Sequence, residues 1–461
     1  MEYQETYSDE SYLSQLNAQH ALSQNDDDFF SDKSLPEFNP LDISDVDLTK
    51  PHGLLGLMCD NMKAQASRRL DLSYPLYGLH LLCLVGAGRK GLNNLKLSFF
   101  SLISAETASG KDIGQNYLAC VANELKLSKH IFDKPRSDKD LIVNLVSTDS
   151  LCVYKIDEIH GLFSAMASKQ ASTHQAGIGE QLLIMSTSQL YSLSGLHKRE
   201  LNDSYLKHRS ILEKKLNKAD ADEVEQVLVE KDISKINQTL IENGFPSPII
   251  SFAGASTPAN LDKVISEDNI DSGLIGRAIV IRCDEGRQPL EPNSCSDINL
   301  NVLKQLSSIQ KGSYHPIKAS QASLEFINKA TKYYDTEEYR NHPKLGGLYS
   351  RLIHRVQIIA SILALQSGEI SLRDCRYALA IGLRHIDDFL TQEAKEQNLF
   401  IRPDEMISLT GKRICIFVKR AKLDGINSST LKQRVGKKFK TSREEALFSQ
   451  NYEVALSYQL Q

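Results

Sequence analysis

The chain has 461 residues, of which 41% are hydrophobic and 24% are charged, a balance typical of a globular protein with roughly two to four domains. It contains no run of about 18 apolar residues, and its acidic N-terminus lacks the apolar segment of a secretory signal, so neither a membrane span nor export is expected. The eight cysteines are scattered without a CxxC pair, which favours reduced thiols, and the expected location is the cytoplasm.

The charges are distributed unevenly along the chain. Residues 1–50 carry 12 acidic side chains and only two basic ones, and they are rich in Ser, Asn and Gln. We therefore expect them to form an acidic disordered arm. Residues 411–443 carry 11 Lys and Arg and a single acid, Asp424. Such a basic stretch predicts contact with nucleic acid near the C-terminus.

Hydrophobic spacing predicts that helices and strands alternate up to about residue 285. The segment YPLYGLHLLCLVG is apolar nearly all round, which is typical of a helix buried against a sheet. Alternation of this kind predicts an α/β fold with a mainly parallel sheet. The predicted helices are 53–69, 74–86 and 113–125, and the predicted strands are 95–104, 151–156, 249–253 and 278–281. Ser137-Asp138-Lys139-Asp140 resembles an N-terminal capping arrangement for a further short helix, LIVNLVS.

The apolar spacing in the second half of the chain predicts mostly helices. Helices are expected at 321–335, 347–366 and 371–396, followed by a small basic helix-turn-helix-like unit. The predicted domains are an acidic arm at 1–50, a core at 51–288 with a charged helical insertion at 203–245, a helical region at 289–400, and a basic winged-helix-like domain at 401–461.

The segment AETASGKD lies between the first predicted strand and the helix after it. Backbone N–H groups at the start of such a helix, with a lysine beside them, bind phosphate in the pattern G-x-x-x-x-G-K-[ST]. Ala105 replaces the first glycine of that pattern, and Asp112 replaces the hydroxyl residue that normally binds Mg²⁺. The carboxylate of Asp112 either takes over that role or repels the nucleotide. The cofactor-binding candidates are Ala105, Glu106, Thr107, Ala108, Ser109, Gly110, Lys111 and Asp112.

A second motif follows the predicted strand 151–156, which ends in two adjacent carboxylates. Downstream of a phosphate loop, Asp157 is expected to hold Mg²⁺ and Glu158 to polarise the attacking water. A surface acidic pair is the alternative interpretation. Because the two motifs occur in the right order, each with its own strand, the sequence favours a site for ATP and Mg²⁺ in which Lys111 contacts the phosphates.

A hydroxyl residue follows the predicted strand 249–253. That strand leads into Ser256 and Thr257, and Thr257 is expected to place its hydroxyl beside the terminal phosphate and the attacking water. A turn stabilised by Ser-Thr-Pro is the alternative. His160, which comes just after the acidic pair, is interpreted as a packing residue and not as a catalyst.

An arginine stands at the start of the last predicted strand, in GLIGRAIVIR. Arg277 is predicted to reach the nucleotide of a neighbouring subunit, as an arginine finger does. Arg282 and Arg287 compete with it for this role. An ordinary surface arginine is the alternative.

The basic segment SSTLKQRVGKKFK near the C-terminus opens with hydroxyl residues, which suit the start of a helix. Its cations are expected to contact the phosphates of DNA, and a merely solvated basic helix is the alternative. Few aromatic residues interrupt it, so base stacking is not indicated. The DNA-binding candidates are Lys432, Arg434, Lys437, Lys438 and Lys440.

The order of these parts resembles the RecA-like helicase-type ATPase domain of replication proteins from phages, plasmids and integrative elements. That domain is often fused to or encoded near a primase, and was long catalogued as a domain of unknown function. The resemblance covers roughly residues 50–400 and rests on seven segments: YPLYGLHLLCLVGAGRKG, ETASGKD, SDKDLIVNLV, VYKIDEIHGLF, GASTP, GLIGRAIVI and RVQIIASILAL.

The resemblance implies a RecA-like P-loop NTPase core that works as a hexameric motor on single-stranded DNA. It places Gly110 and Lys111 in the phosphate loop, Asp157 and Glu158 in the metal and water pair, and Arg277 after the GL turn. The chain has no primase zinc motif, so any priming partner is expected to be a separate primase.

Three hypotheses of function remain at this stage. The first is an ATP-dependent DNA helicase or translocase, a homo-oligomer that serves the replication of a phage or mobile genetic element. The second is an ATP-gated DNA-binding initiator or loader without unwinding activity, which Asp112 and the basic C-terminus favour. The third is a structural protein with a decayed site, which would not bind ATP.

Overall fold

The computed structural model describes most of the chain from residue 41 to residue 389. The five basic DNA-binding candidates at 432–440, and the competing finger Arg287, lie outside the described residues. The described residues are 41, 43–167, 173–216, 238–265, 275–283, 288, 290, 297–312, 315–342 and 345–389.

Nine strands and fourteen helices carry labels among these residues. The strands are β1 Phe100–Ser104, β2 Ile131–Phe132, β3 Leu151–Ile156, β4 Leu190–Tyr191, β5 Phe245–Pro246, β6 Ile249–Ser256, β7 Ile279–Arg282, β8 Lys318–Ala319 and β9 Glu369–Ile370. The helices are α1 Gly53–Gln65, α2 Tyr74–Val85, α3 Asp112–Glu124, α4 Asp138–Ser147, α5 His160–Ala167, α6 Thr173–Thr187, α7 Gly195–Leu216, α8 Gln238–Asn243, α9 Pro258–Val264, α10 Leu300–Lys311, α11 Gln321–Tyr334, α12 Glu337–Arg340, α13 Gly346–Leu363 and α14 Leu372–Phe389.

Five parallel strands form the central sheet, in the order β2-β3-β6-β1-β7. Every residue of β1, β6 and β7 is buried, as expected for parallel strands covered on both faces by helices. The architecture is therefore α/β with a parallel central sheet. Two short pairs, β4 with β5 and β8 with β9, lie outside this sheet. No helix in the described ranges is long and apolar enough to cross a membrane.

The parallel direction of the strands decides where a site can form. The carboxyl ends of β1, β3, β6 and β7 meet at one edge of the sheet, and β6 lies between β1 and β3. Open parallel sheets bind ligands outside these carboxyl ends. The turns that carry the two sequence motifs both leave the sheet at this edge.

The apolar helix α2 supports the sheet and α3, the helix that follows the loop after β1. All twelve of its residues are buried, which agrees with its nearly uniform hydrophobicity. It packs closely on α3, because a Cβ atom at Gly114 would clash with the ring of Tyr77. The predicted cap of α4 also forms, since Ser137 Oγ accepts the backbone N–H of Asp140 at 3.1 Å.

Two element boundaries differ from the predicted ones. The first strand begins at Phe100 and not at residue 95, because Lys96 turns away to donate to the carbonyl oxygens of Met185, at 2.5 Å, and Ser188, at 3.0 Å. The charged helix begins at Gly195 and not at 203. Most of the predicted insertion beyond it, residues 217–237, lies outside the described ranges.

The helical region is bonded directly to the edge strand β7. His385 Nδ1, on α14, accepts the backbone N–H of Val280 at 2.8 Å. One turn further along α14, Asp388 Oδ2 accepts the backbone N–H of Arg282 at 2.9 Å. The predicted core and helical region therefore share one packed interior.

The end of the predicted acidic arm also packs on α14. The hydroxyl of Tyr377 donates to the carbonyl oxygen of Leu48 at 2.7 Å, and Arg376 forms an ion pair with Asp45. Residues 43–50 are thus attached to the helical region through named contacts, and residues 1–40 and 42 of the predicted arm lie outside the described ranges.

Candidate functional site

The loop after β1 starts as a continuation of the sheet. The backbone N–H of Ala105 donates to the carbonyl oxygen of Ser256 at 3.0 Å, one residue beyond the paired register of β1 and β6. Ala105 is fully buried, and it is not among the residues with positive φ. The backbone here does not need the first glycine of the phosphate-loop pattern, so alanine in its place is compatible with the turn.

The loop then turns through two left-handed residues, Ala108 at φ 61° and Gly110 at φ 92°. A Cβ atom at Gly110 would clash with the carbonyl oxygen of Arg68, so this position requires glycine for both its conformation and its space. The turn delivers Lys111 to the N-cap position of α3, where no side chain caps the helix. Uncapped N–H groups at a helix start are suited to binding an anion.

A buried hydroxyl lies in the same loop. Ser109 is 1% exposed, and its Oγ has no hydrogen-bond partner within the described part of the chain. An unpaired hydroxyl in such a place carries a cost that a bound ligand would offset. This is independent support for a polar ligand at the loop.

The acidic turn after β3 is held against β6. The backbone N–H of Ile159 donates to the carbonyl oxygen of Ala255 at 2.9 Å. Its side chain covers Gly254, where a Cβ atom would lie 2.7 Å from Ile159 Cδ1. Glu158 consequently takes a left-handed conformation at φ 51°, which is unusual for a residue with a side chain and is typical of functional sites.

The structure brings the two sequence motifs together. Lys111 Nζ lies 3.0 Å from Glu158 Oε1 and 3.9 Å from Asp157 Oδ1. The lysine side chain is 14% exposed, whereas the glutamate is 45% and the aspartate 63% exposed. The ammonium group is thus more deeply buried than the two acidic side chains, of which Asp157 is the more exposed.

A histidine and a serine complete this cluster. His160 Nδ1 lies 3.1 Å from Glu158 Oε2 and 3.2 Å from Ser256 Oγ. The sequence interpretation of His160 as a packing residue did not anticipate this position. Two features could have indicated this role. His160 is the first residue of α5 and follows Glu158 by two positions, and it lies opposite a strand that ends in a hydroxyl residue.

Thr257 lies one residue beyond β6, at the N-cap position of α9, and its side chain makes no capping bond. It remains at the carboxyl edge, but the hydroxyl that contacts the acidic cluster through His160 belongs to Ser256. Two neighbouring hydroxyls therefore lie where the sequence predicts one beside the terminal phosphate, and Ser256 makes the contact with the cluster.

The arginine candidates lie at opposite ends of β7. Arg277 ends a short 3₁₀ turn before the strand, so it stands at the amino edge of the sheet, away from the 105–112 loop of its own chain. Arg282 ends the strand at the carboxyl edge and is 5% exposed. Its guanidinium group forms an ion pair with Asp262 at 2.5 Å and donates to the carbonyl oxygen of Asp388 at 2.6 Å. Arg282 therefore stabilises contacts within the fold.

Metal binding by protein groups alone is not indicated in the described ranges, where no group of three or more His, Cys, Asp and Glu is placed to hold an ion. Magnesium in phosphate sites commonly uses one or two carboxylates together with phosphate oxygens and water. Asp157 and the exposed Asp112, the first residue of α3, fit that smaller donor set. A carboxylate at a helix N-terminus is also favoured by the helix dipole.

No protein-family model matches the chain, and no curated protein matches its sequence. The chemistry of the site is therefore inferred from the residues that meet at the carboxyl edge. They provide an ammonium, two carboxylates, an imidazole and a hydroxyl, from Lys111, Asp157, Glu158, His160 and Ser256.

Proposed function

We propose that the chain is a Mg²⁺-dependent ATP hydrolase of the RecA-like P-loop type, which acts as a DNA helicase or translocase in the replication of a phage or mobile genetic element. One observation carries the proposal: Lys111 of the glycine-lysine turn lies 3.0 Å from Glu158 of the acidic turn. Two motifs that are separate in the sequence and meet at the carboxyl edge of a parallel sheet form the kind of site that binds a triphosphate.

Each group has a defined task in this proposal. The N–H groups at the start of α3 and the ammonium of Lys111 bind the phosphates. Asp157 holds Mg²⁺, which neutralises the charge that develops on the phosphates, and Glu158 polarises the attacking water. His160, between Glu158 and Ser256, fixes the orientation of the glutamate.

Oligomer formation and DNA binding extend the proposal beyond the described residues. We expect a homo-oligomer, a hexamer by the resemblance, on single-stranded DNA, with a separate primase as a possible partner. Because Arg277 stands at the amino edge of the sheet, its proposed role as an arginine finger requires the nucleotide of a neighbouring subunit. The basic residues 432–440 are the proposed DNA contacts.

DNA-stimulated ATP hydrolysis, measured on the wild type and on Lys111→Ala, tests this function. The proposal predicts hydrolysis that single-stranded DNA increases and that the substitution abolishes. An equal rate in both proteins, or no hydrolysis by the wild type with Mg²⁺ and DNA present, would contradict it.

Asp112 favours a second candidate, an ATP-gated DNA-binding initiator or loader. Its exposed carboxylate occupies the first position of α3, where a metal-binding hydroxyl is expected in an active hydrolase. Strand displacement from a forked duplex separates the two candidates. A helicase unwinds the fork and loses this activity in Glu158→Gln, whereas a gated binder never unwinds and keeps its ATP-dependent DNA affinity in the mutant.

A further inference from the structure

A cavity of about 530 Å³ lies beside the first turn of α1, and we refer to it as the α1 cavity. Its walls come from the starts of α1, α11 and α14, from the last turns of α2 and α13, and from the strand β9. Small-molecule sites commonly have volumes of about 300–1,000 Å³. The α1 cavity therefore has the size of a ligand site.

The floor of the α1 cavity is apolar. Leu54 and Leu55 of α1, Leu82 of α2 and Ile370 of β9 line it, and each is at most 5% exposed. Leu372 stands at the rim and is 40% exposed. A ligand with an apolar body would cover this leucine and exclude water from the floor, which favours binding.

One wall of the cavity is held by a histidine and an aspartate from distant parts of the chain. His52 Nε2 donates to Asp374 Oδ1 at 2.7 Å. Asp374 Oδ2 accepts both the backbone N–H and the hydroxyl of Ser371, each at 2.7 Å. Asp374 is 6% exposed, so three hydrogen bonds satisfy a buried carboxylate at this wall and join α1 to α14. The wall is thus fixed without help from a ligand.

A second carboxylate of the cavity has no such partners. Glu369 is exposed, and its carboxylate oxygens have no ion pair or hydrogen bond within the described part of the chain. Lys318 is its register partner in the pair of β8 and β9, but the two side chains form no ion pair and Lys318 does not line the cavity. Glu369 is thus the charged side chain that is available to a ligand.

Charge decides which kind of head group the α1 cavity favours. The starts of α11 and α14 are capped, by Ser320 and by Ser371 with Asp374. The first turn of α1 has no side-chain cap and amounts to about half a positive charge. The carboxylate of Glu369 is a full negative charge, and no Lys or Arg is among the described residues that line the cavity. The larger unmatched charge is therefore negative, so the cavity favours a cation over an anion.

We propose that the α1 cavity binds a small amphiphilic cation, which carries an ammonium group on an apolar body. The ammonium donates a charge-assisted hydrogen bond to Glu369, and the body lies on the apolar floor. Because Glu369 is exposed at the rim, the remaining N–H groups of the ammonium stay in contact with water, which avoids the cost of burying a charge. An anionic head of the same size would meet the carboxylate of Glu369 instead.

This cavity is separate from the proposed ATP site. No residue of the 105–112 loop or of the 157–160 turn lines it. Both regions adjoin α2, but at different points: the hydroxyl of Tyr77 donates to the carbonyl oxygen of Lys111 at 3.5 Å, whereas Leu82 lies five residues further along the helix. Binding of a cation here therefore does not depend on ATP hydrolysis by Lys111 and Glu158.

Probes that share one body and differ in the head group test the site: 4-phenylbutylamine, 4-phenylbutanol and 4-phenylbutyrate. Ligand-observed NMR on the full-length chain measures their dissociation constants. We expect the amine to bind at least about tenfold more tightly than the carboxylate, and Glu369→Gln to weaken amine binding about tenfold, the effect of losing a charge-assisted hydrogen bond. Glu325→Gln, at an exposed glutamate of α11 outside the cavity, is the matched control and should leave binding unchanged.

The head-group comparison has clear contrary outcomes. The proposal is overturned if the amine does not bind, if the carboxylate binds as tightly as the amine, or if Glu369→Gln binds the amine as the wild type does. Saturating ATP with Mg²⁺ should leave the affinity for the amine unchanged. Competition between the two would place the amine in the proposed ATP site and would also overturn the proposal.

A second variant tests the apolar part of the site. Leu372→Ala removes apolar surface at the rim, so it should weaken all the probes by a similar factor, about threefold, and keep the preference for the amine. The side chain is 40% exposed, so the substitution leaves the fold intact. Leu324→Ala, at a leucine of α11 that is 38% exposed and lies outside the cavity, is its control. Amine binding that Leu372→Ala leaves unchanged would show that the amine does not lie in the α1 cavity.

Discussion

The ammonium nitrogen of Lys111 lies 3.0 Å from Oε1 of Glu158, although 47 positions separate the two residues in the chain. They meet because β1 and β3 run parallel with only β6 between them, so the turns that follow both strands open at the same edge. The lysine is more deeply buried than either carboxylate. The site thus combines a largely buried cation with two more exposed acidic side chains, although Oε2 of Glu158 is itself buried.

Glu158→Gln should separate nucleotide binding from hydrolysis. Glutamine keeps the size of the side chain and an oxygen for Lys111, but it cannot accept a proton from water. We expect turnover to fall at least about 100-fold, the usual contribution of a general base, while ATP affinity remains within about threefold. Steady-state hydrolysis and equilibrium ATP binding measure the two effects. Asp133→Asn, at an exposed carboxylate paired with Lys155, is the control. Turnover near the wild-type rate in Glu158→Gln would exclude the glutamate as the base.

His160→Ala should lower the rate without weakening ATP binding. The imidazole lies against Glu158 and Ser256, so its loss frees the glutamate to leave its position. We predict a fall of about tenfold in kcat, equivalent to about 1.4 kcal/mol of lost transition-state stabilisation, with little change in KM. His160→Asn retains a short donor and should recover part of the rate. A matching rise in KM would instead place His160 against the nucleotide.

Gly114→Ala tests the packing of α3 on α2. Alanine normally favours a helix over glycine by up to about 1 kcal/mol, yet here the added methyl group meets the ring of the buried Tyr77. We expect a net loss of about 1–3 kcal/mol in the free energy of unfolding, the usual effect of overpacking. Gly347→Ala, in α13 with no atom near its Cβ position, is the matched control and should be neutral or stabilising. Urea unfolding compares them, and a stabilising Gly114→Ala would contradict the close contact.

Two buried histidines predict acid sensitivity of the fold. Burial lowers the pKa of His80 to about 3 and holds the pKa of His385 well below its ordinary value. His385 also accepts the N–H of Val280 at Nδ1, a bond that protonation of that nitrogen breaks. Between about pH 3 and 6.5 the unfolded chain binds protons that the folded chain does not, so stability rises with pH through this window and is lost as the pH falls.

The size of that effect can be measured by urea unfolding across the window. At pH 4.5 the titration of His80 should cost about 2–3 kcal/mol relative to pH 7.5. In His80→Leu, the slope of the free energy of unfolding against pH should correspond to about one proton fewer taken up on unfolding. Substitution of the exposed His315 by asparagine should leave the slope unchanged. Equal slopes in the wild type and His80→Leu would show that His80 is not held neutral.

Several elements of this fold follow from local patterns. The strand 151–156 has the predicted bounds, and the Ser137 cap forms as the sequence indicates. Apolar runs and capping residues act over a few positions, so their signals survive in a single sequence. The α/β class follows in the same way from alternating helices and strands. The exact start of β1 does not, because Lys96 leaves the sheet to reach carbonyls about 90 positions away.

Local patterns of this kind do not predict which strands contact each other. Ser256 meets His160 only because β6 is placed beside β3 in a register that pairs Ile156 with Gly254. Arg277 falls at the amino edge because β7 is parallel to β1. Both facts require the order and direction of strands, which hydrophobic spacing does not contain. Local turn chemistry identified the loop and the acidic pair, and the topology decided which other residues reach them.

Equilibrium binding of ATP with Mg²⁺ to the full-length chain tests the central claim most directly. We predict one nucleotide per chain for the wild type, and affinity about 10- to 100-fold weaker for Lys111→Ala, the effect of removing a charge-assisted contact to phosphate. Lys129→Ala, at an exposed lysine paired with Asp149, should bind as the wild type does. Equal affinity in Lys111→Ala and the wild type, or no binding by the wild type, would contradict a nucleotide site built from Lys111, Asp157 and Glu158.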